Sequence, residues 1–198
     1  NILLEGLTER IYGEVQKALL ASVNSVSRPA NNRYVSAGFD PDMMAKACQV
    51  AGSYGNGVTI YATPEFVTAM GPDAIVPAVN GAQAIYHPDD IDAIHKLGRI
   101  KMFRGTPIVQ LPQSFVDEDN NLYQTPTDKA FVFPAGDEKV VKVVLEGQTQ
   151  IRDHENKDNS MEVFAWKKMG CAILHHNNWC IYWNSSIADT SAKDIYGF

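Results

Sequence analysis

Two extended segments near the end of this chain limit what it can fold into. Lys139 to Ile151 carries Val140, Val141, Val143, Val144 and Leu145, followed by the polar Gln148, Thr149 and Gln150. Met161 to Leu174 is again strand-like. Between them Asp153 to Ser160 (DHENKDNS) is a cluster of turn formers. Strands of this length exceed the usual mode of about five or six residues. A ribbon of two strands cannot cover both of its own faces, so it requires a neighbour.

One candidate neighbour lies at the start of the chain. Leu4, Leu7, Ile11, Val15, Ala18 and Leu19 recur at spacings of three and four, a single stripe on a helix. Glu5, Glu9, Arg10, Glu14 and Lys17 fall mostly off that stripe. The pattern runs to about Val26 and stops at Arg28-Pro29, because the residue before proline resists the α region. At ~1.5 Å per residue this is a rod of roughly 35 Å, about twice the usual helix. The chain opens on Asn1 inside this pattern, and the native protein is expected to have residues upstream.

The middle is mixed. Asp40-Pro41 and Thr63-Pro64-Glu65 each read as a helix cap followed by proline in the first turn. The first of these helices ends near Gly52 and the second at Gly71-Pro72, with a short strand at Gly57 to Ala62 between them. His87-Pro88 opens a further helix that Gly98 closes. Arg99 to Phe103 and Thr106 to Leu111 read as strands about the Arg104-Gly105 turn. Val116 to Lys129 is polar and loop-like, Ala130 to Phe133 is a short strand, and Asn177-Asn178 precedes another at Trp179 to Trp183.

Composition narrows the classes. The 198 residues suit one domain, at most with two lobes, and 45% apolar with 20% charged residues is ordinary globular usage. A net charge of −6 argues against strong sequence-independent DNA binding. Three cysteines, an odd number, do not make a disulfide framework. No apolar run approaches the ~20 residues of a membrane helix.

Several constellations invite a chemical reading. Cys171, His175, His176 and Cys180 (CAILHHNNWC) are zinc-type ligands and define a metal-enzyme alternative. Strand parity separates them: Cys171 and His175 share a face, whereas His176 points to the other. Asp117, Asp119 and Asn121 match the first positions of a calcium loop, but Leu122 stands where glycine is needed and Asp128 at the twelfth position. Asp89, Asp90 and Asp92 before His95 are explained by the first turn of a helix. Gly52 to Gly57 runs from helix to strand, the wrong order for a phosphate loop. Asn184-Ser185-Ser186 is a bare sequon, and Trp166, Trp179 and Trp183 suit a core or a subunit interface. No catalytic, cofactor or metal site is assigned.

The order of the parts resembles the major capsid protein of tailed bacteriophages, the Hong Kong 97-type fold. Leu4 to Leu20 is similar to the end of that family's spine helix, and GVTIYATPEFVTAM (Gly57 to Met70) to its strand and proline-started helix. FRGTPIVQLP (Phe103 to Pro112) resembles its short hairpin. AFVFPAGDEKVVKVV (Ala130 to Val144) resembles the strand pair leading out of the axial lobe, and the long pair about DHENKDNS its peripheral hairpin. The return of that hairpin into the axial lobe would be KKMGCAILHHNNWCIYW.

The resemblance implies an α+β subunit with a long spine helix, a long peripheral β-hairpin and a mixed α/β axial lobe. Residues 1–27 and 136–169 would form the peripheral lobe, and 28–135 with 170–198 the axial lobe. The family's N-terminal arm and extended loop would be absent from this chain. Relatives that crosslink covalently use a lysine and an asparagine. Asn156 or Asn159 lies near the right hairpin tip, the lysine would lie in the absent loop, and no crosslink is expected. The implied function is self-assembly, as hexamers and pentamers, into an icosahedral shell around phage or prophage DNA, with no enzyme activity and no cofactor. Arg152, Asp153, Glu155, Lys157 and Asp158 are the expected subunit-interface residues. Portal, scaffolding or protease proteins of the same phage would be partners. Contact with packaged DNA would be weak, and there is no membrane partner. Shells would assemble in the bacterial cytoplasm and end in the virion. An encapsulin-type compartment shares the implied fold, and a plain binding module would remain monomeric.

Overall fold

The computed structural model describes residues 2–23, 29–71, 96, 100–136, 139–158 and 160–191. The amphipathic stripe at the start folds as α1 (Ile2–Val23). After it come β1 (Arg33–Ser36), α2 (Pro41–Gly52), β2 (Val58–Ala62) and α3 (Pro64–Met70). Then follow β3 (Met102–Phe103), β4 (Thr106–Gln110), β5 (Lys129–Pro134), β6 (Val141–Glu155), β7 (Met161–Ile173) and β8 (Cys180–Asn184). Asn24 to Arg28 and the helix expected from His87 to Gly98, with its acids and His95, lie outside the described residues apart from Lys96, which is helical.

The helix starts follow local capping chemistry. Asp40 Oδ1 accepts the amides of Asp42 at 2.9 Å and Met43 at 3.1 Å, and Pro41 occupies the first turn of α2 where no N–H is needed. Thr63 Oγ1 accepts from Phe66 N in the same way at the head of α3.

Six strands form a mixed sheet in the order β1-β8-β5-β2-β4-β3. β5 pairs antiparallel with both β2 and β8, while the β1–β8 and β2–β4 pairs are parallel. Both faces of the central strands are buried, so alternate residues feed two separate cores. Ile60, Ala62, Ala130, Val132, Cys180 and Tyr182 face α2 and α3, where Met44, Ala47, Phe66 and Met70 complete one cluster. Phe131, Ile181 and Trp179 face the other way and meet Leu19 of α1 and Val140 at the root of β6. Trp179 stacks on Phe133 with ring centroids 5.4 Å apart.

β6 and β7 form a second, two-stranded sheet. Its ladder runs from the Val141–Ile173 pair to the Glu155–Met161 pair. Asp153, His154 and Glu155 therefore continue the strand, where sequence places them in the turn. The strands are joined past Glu155, where the Asn156 amide donates to the Ser160 carbonyl at 2.8 Å, and Asn159 lies outside the described residues. β1 is absent from the sequence reading, and β3 is shorter than the Arg99-to-Phe103 strand expected.

Candidate assembly interface

The ribbon is the most exposed apolar feature described. Antiparallel pairing sends residues of equal parity on β6 and β7 to the same face. On β7 the odd positions Ala165, Lys167, Met169, Cys171 and Ile173 are half-buried and the even ones exposed. The reason is α1. Leu7, Ile11, Glu14 and Ala18 border a groove of about 490 Å³ whose other wall is Lys167, Met169 and Cys171. Burial, with Glu14 nearby, pushes the Cys171 thiol up. So the long helix is the ribbon's neighbour, but it lies only against the odd side of β7 toward the root.

The rest is uncovered in the single chain. Ile151 is 59% exposed, Met161 67% and Phe164 51%. Val144, Leu145, Val163 and Trp166 are exposed as well. A register shift between Glu146 and Gln150 places Gly147 at φ 71°, a left-handed conformation that suits glycine. Glu146 Oε2 lies 3.8 Å from Lys168 Nζ across the strands, and the Arg152 guanidinium lies 4.9 Å over the Trp166 ring.

The five expected interface residues lie at the outer end of this ribbon. Arg152, Asp153 and Glu155 are on β6, and Lys157 and Asp158 are in the turn. All five are exposed. Asp158 is engaged locally: its carboxylate accepts the Ser160 hydroxyl at 2.6 Å and the Ser160 amide at 3.1 Å, which holds it below the usual carboxylate range. Its first job is closing the turn.

The structure places the zinc-type ligands of the alternative reading apart. Cys180 is fully buried on the helix-covered face of the main sheet, Cys171 sits under α1, and His175 is exposed in the β7–β8 connection. Among the described residues no three His, Cys, Asp or Glu side chains gather as a metal site. The calcium-loop pattern folds on itself. Asp117 accepts the amides of Leu122 at 2.7 Å and Asn121 at 3.0 Å, and its pKa falls for that reason. Residues 52–57 are stitched to the end of β5, with the Asn56 amide donating to the Ala135 carbonyl at 2.9 Å. The sequon's Asn184 is 2% exposed and uses Oδ1 to accept the amides of Gly38 and Ser186. No described helix is long and apolar enough to cross a membrane.

Sequence reasoning missed how α1 is fastened. Gln16, 3% exposed, donates from Nε2 to Thr125 Oγ1 at 3.0 Å, and Gln124 Nε2 donates to the Glu9 carbonyl at 2.7 Å. A glutamine on the helix and a glutamine in the loop carry no local signature of a partner more than a hundred residues away.

Residues 5–173 match the model of the family described as "SPbeta prophage-derived putative capsid protein YonB". The chain belongs to this family. Among solved structures it is similar to the holo-SrpI encapsulin complex from Synechococcus elongatus PCC 7942, with a TM-score of 0.54 and 15% identity over 92% of this chain and 63% of that one. It is also similar to a virus-like particle from Pyrococcus furiosus, with a TM-score of 0.50 and 12% identity over 85% of this chain and 60% of that one. At these identities the likeness concerns the fold alone, the mixed α+β fold that the sequence resemblance implies. The chain spans a little under two thirds of each of those proteins. No curated protein matches the chain in sequence.

Proposed function

We propose that this member of the YonB family is a wall-forming subunit of an icosahedral shell. Copies pack as hexamers and pentamers and enclose phage or prophage DNA. The observation that carries this reading is the capsid family match over residues 5–173, which spans most of the rod and the whole of the outstretched ribbon. A monomer that leaves so much of a ribbon uncovered gains by pairing it with sister copies. Each contact is modest, and many contacts per subunit sum to a stable closed shell.

The same reading divides the chain into an axial lobe (28–135 and 170–198) and a peripheral lobe (1–27 and 136–169). The core formed by Leu19, Phe131, Val140, Trp179 and Ile181 supports a joint between these parts. Arg152, Asp153, Glu155, Lys157 and Asp158 act as register-setting charges between subunits. The role is structural, not enzymatic. An acidic chain suits a wall that does not cling to its DNA. Portal and scaffolding or protease proteins would join it in the bacterial cytoplasm, and the finished wall would belong to the virion.

The likeness to an encapsulin complex favours one second reading, a protein compartment. Expression of the full-length protein followed by electron microscopy and nuclease treatment of the particles separates the cases. Closed shells protecting DNA, when made with the other phage proteins, are expected. Shells holding a co-purifying enzyme would favour the compartment, and monomers at high concentration would overturn both.

A further inference from the structure

The two faces of the ribbon differ in charge. The even face carries Lys142, Arg152 and Lys168 against Glu146 and Glu162, a positive balance. Beyond the Lys167 wall of the α1 groove, the odd face carries Asp153 and Glu155 and no basic side chain along the Ile151–Glu155 and Met161–Ala165 ladder. Both faces also present exposed apolar groups. Val144, Phe164 and Trp166 lie on the even side, and Ile151, Val163 and Met161 on the odd.

We propose that the even face of one copy's ribbon stacks on the outer odd face of a second copy's ribbon. This inference rests on the shell reading above. Charge complementarity selects the pairing. Even on even opposes two faces of net positive balance, and odd on odd sets Asp153 and Glu155 against their own kind, whereas even on odd joins opposite net signs over two apolar strips. The contact is therefore heterologous, using a different patch on each partner, so it repeats from copy to copy and makes a ring where the rotation closes, as a hexamer or pentamer requires. The α1 helix occupies the odd side of β7 from Lys167 to Cys171, so an incoming ribbon seats on that strand only beyond Lys167, while Val143 and Leu145 of β6 stay open. The Gly147 irregularity interrupts the ladder but keeps parity, because Glu146 faces Lys168 and Gln150 faces Trp166, so the even positions lie on one face on either side of it.

A charge swap on the full-length protein tests this, with particle yield read by sedimentation and microscopy and folding read by the melting temperature. Arg152→Glu with Lys168→Glu is expected to abolish particles, as is Asp153→Lys with Glu155→Lys. All four together restore the opposite signs and the particles. Loss without rescue, at an unchanged melting temperature, or normal yield from either pair would overturn the stacking. A second measurement reads geometry directly, in a chain whose native cysteines are alanine. Val144→Cys and Val163→Cys proteins, mixed and treated with a short bis-maleimide, should crosslink to each other and not to themselves. Self-crosslinking of the Val144→Cys protein would show even on even and overturn the proposal. If the wild-type chain forms no particles at all, the shell reading itself fails, a result distinct from any of these.

Discussion

Asp128, Lys129 and Asp189 show how much one buried charge group depends on residues far apart in sequence. Asp128 is 2% exposed, and Lys129 Nζ lies 2.6 Å from its Oδ1 and 3.4 Å from Asp189 Oδ2. Trp183 lies under the same ammonium at 5.2 Å. Burial raises the Asp128 pKa, and the hydrogen bond and charge of Lys129 only partly oppose this. The folded state therefore holds a proton more readily than the unfolded chain. The stability contributed is full below the ordinary carboxylate value and is lost as pH rises through the raised one. Asp117 and Asp158 act in the opposite sense, because their lowered values make stability fall as pH falls. Comparison with Asp128→Asn isolates the first effect. As pH drops from about 7 to about 4 the melting temperature of the wild type should gain on that of the variant. Parallel curves would show that burial does not govern this carboxyl. Nothing in the sequence near Asp128 announces Asp189, because the pair is made by the fold.

Among the elements, those with local causes are legible in the sequence and those with distant causes are not. α2 and α3 begin where a capping side chain precedes proline, and the long ribbon is visible in its valines and its polar tip. β1 is four residues long, begins with Arg33 and carries no apolar run. It is a strand because β8 lies beside it, pairing Arg33 with Ile181 and Tyr34 with Tyr182. Strand parity read from the sequence separates Cys171 from His176, and the structure adds that Cys180 belongs to another sheet. The ribbon's partial cover was legible only as a need for a neighbour, since which face α1 takes depends on the root packing around Leu19 and Val140. Removing the α2 cap with Asp40→Ala should cost about 1 kcal/mol, since two amides lose their acceptor. Urea unfolding measures it, and an unchanged midpoint would mean that water replaces the carboxylate without loss. Tyr182 reinforces this start from below, because its hydroxyl accepts the Asp40 amide at 2.7 Å.

For the whole molecule, the proposed assembly surface and the folding cores are made of separate residues. The two cores lie on opposite sides of the main sheet, while the outer ribbon contributes to neither. Reversing Arg152 and Lys157 together should therefore impair particle formation and leave the melting temperature of the single chain nearly unchanged, since exposed charges contribute only ~0–1 kcal/mol each. Normal particle yield would remove the outer charges from the interface. The ribbon's root tells a different story from its far end. Val140, Val141 and Ile173 pack into the cluster that holds Trp179 and Phe131. β6 extends 15 residues from there, roughly 50 Å at ~3.3 Å per residue. Such an arm is a lever with its fulcrum in the sheet's own interior. In the proposed shell, pressure on the wall would reach each subunit as torque about Trp179, and the stiffness of that aromatic stack would resist the opening of its subunits.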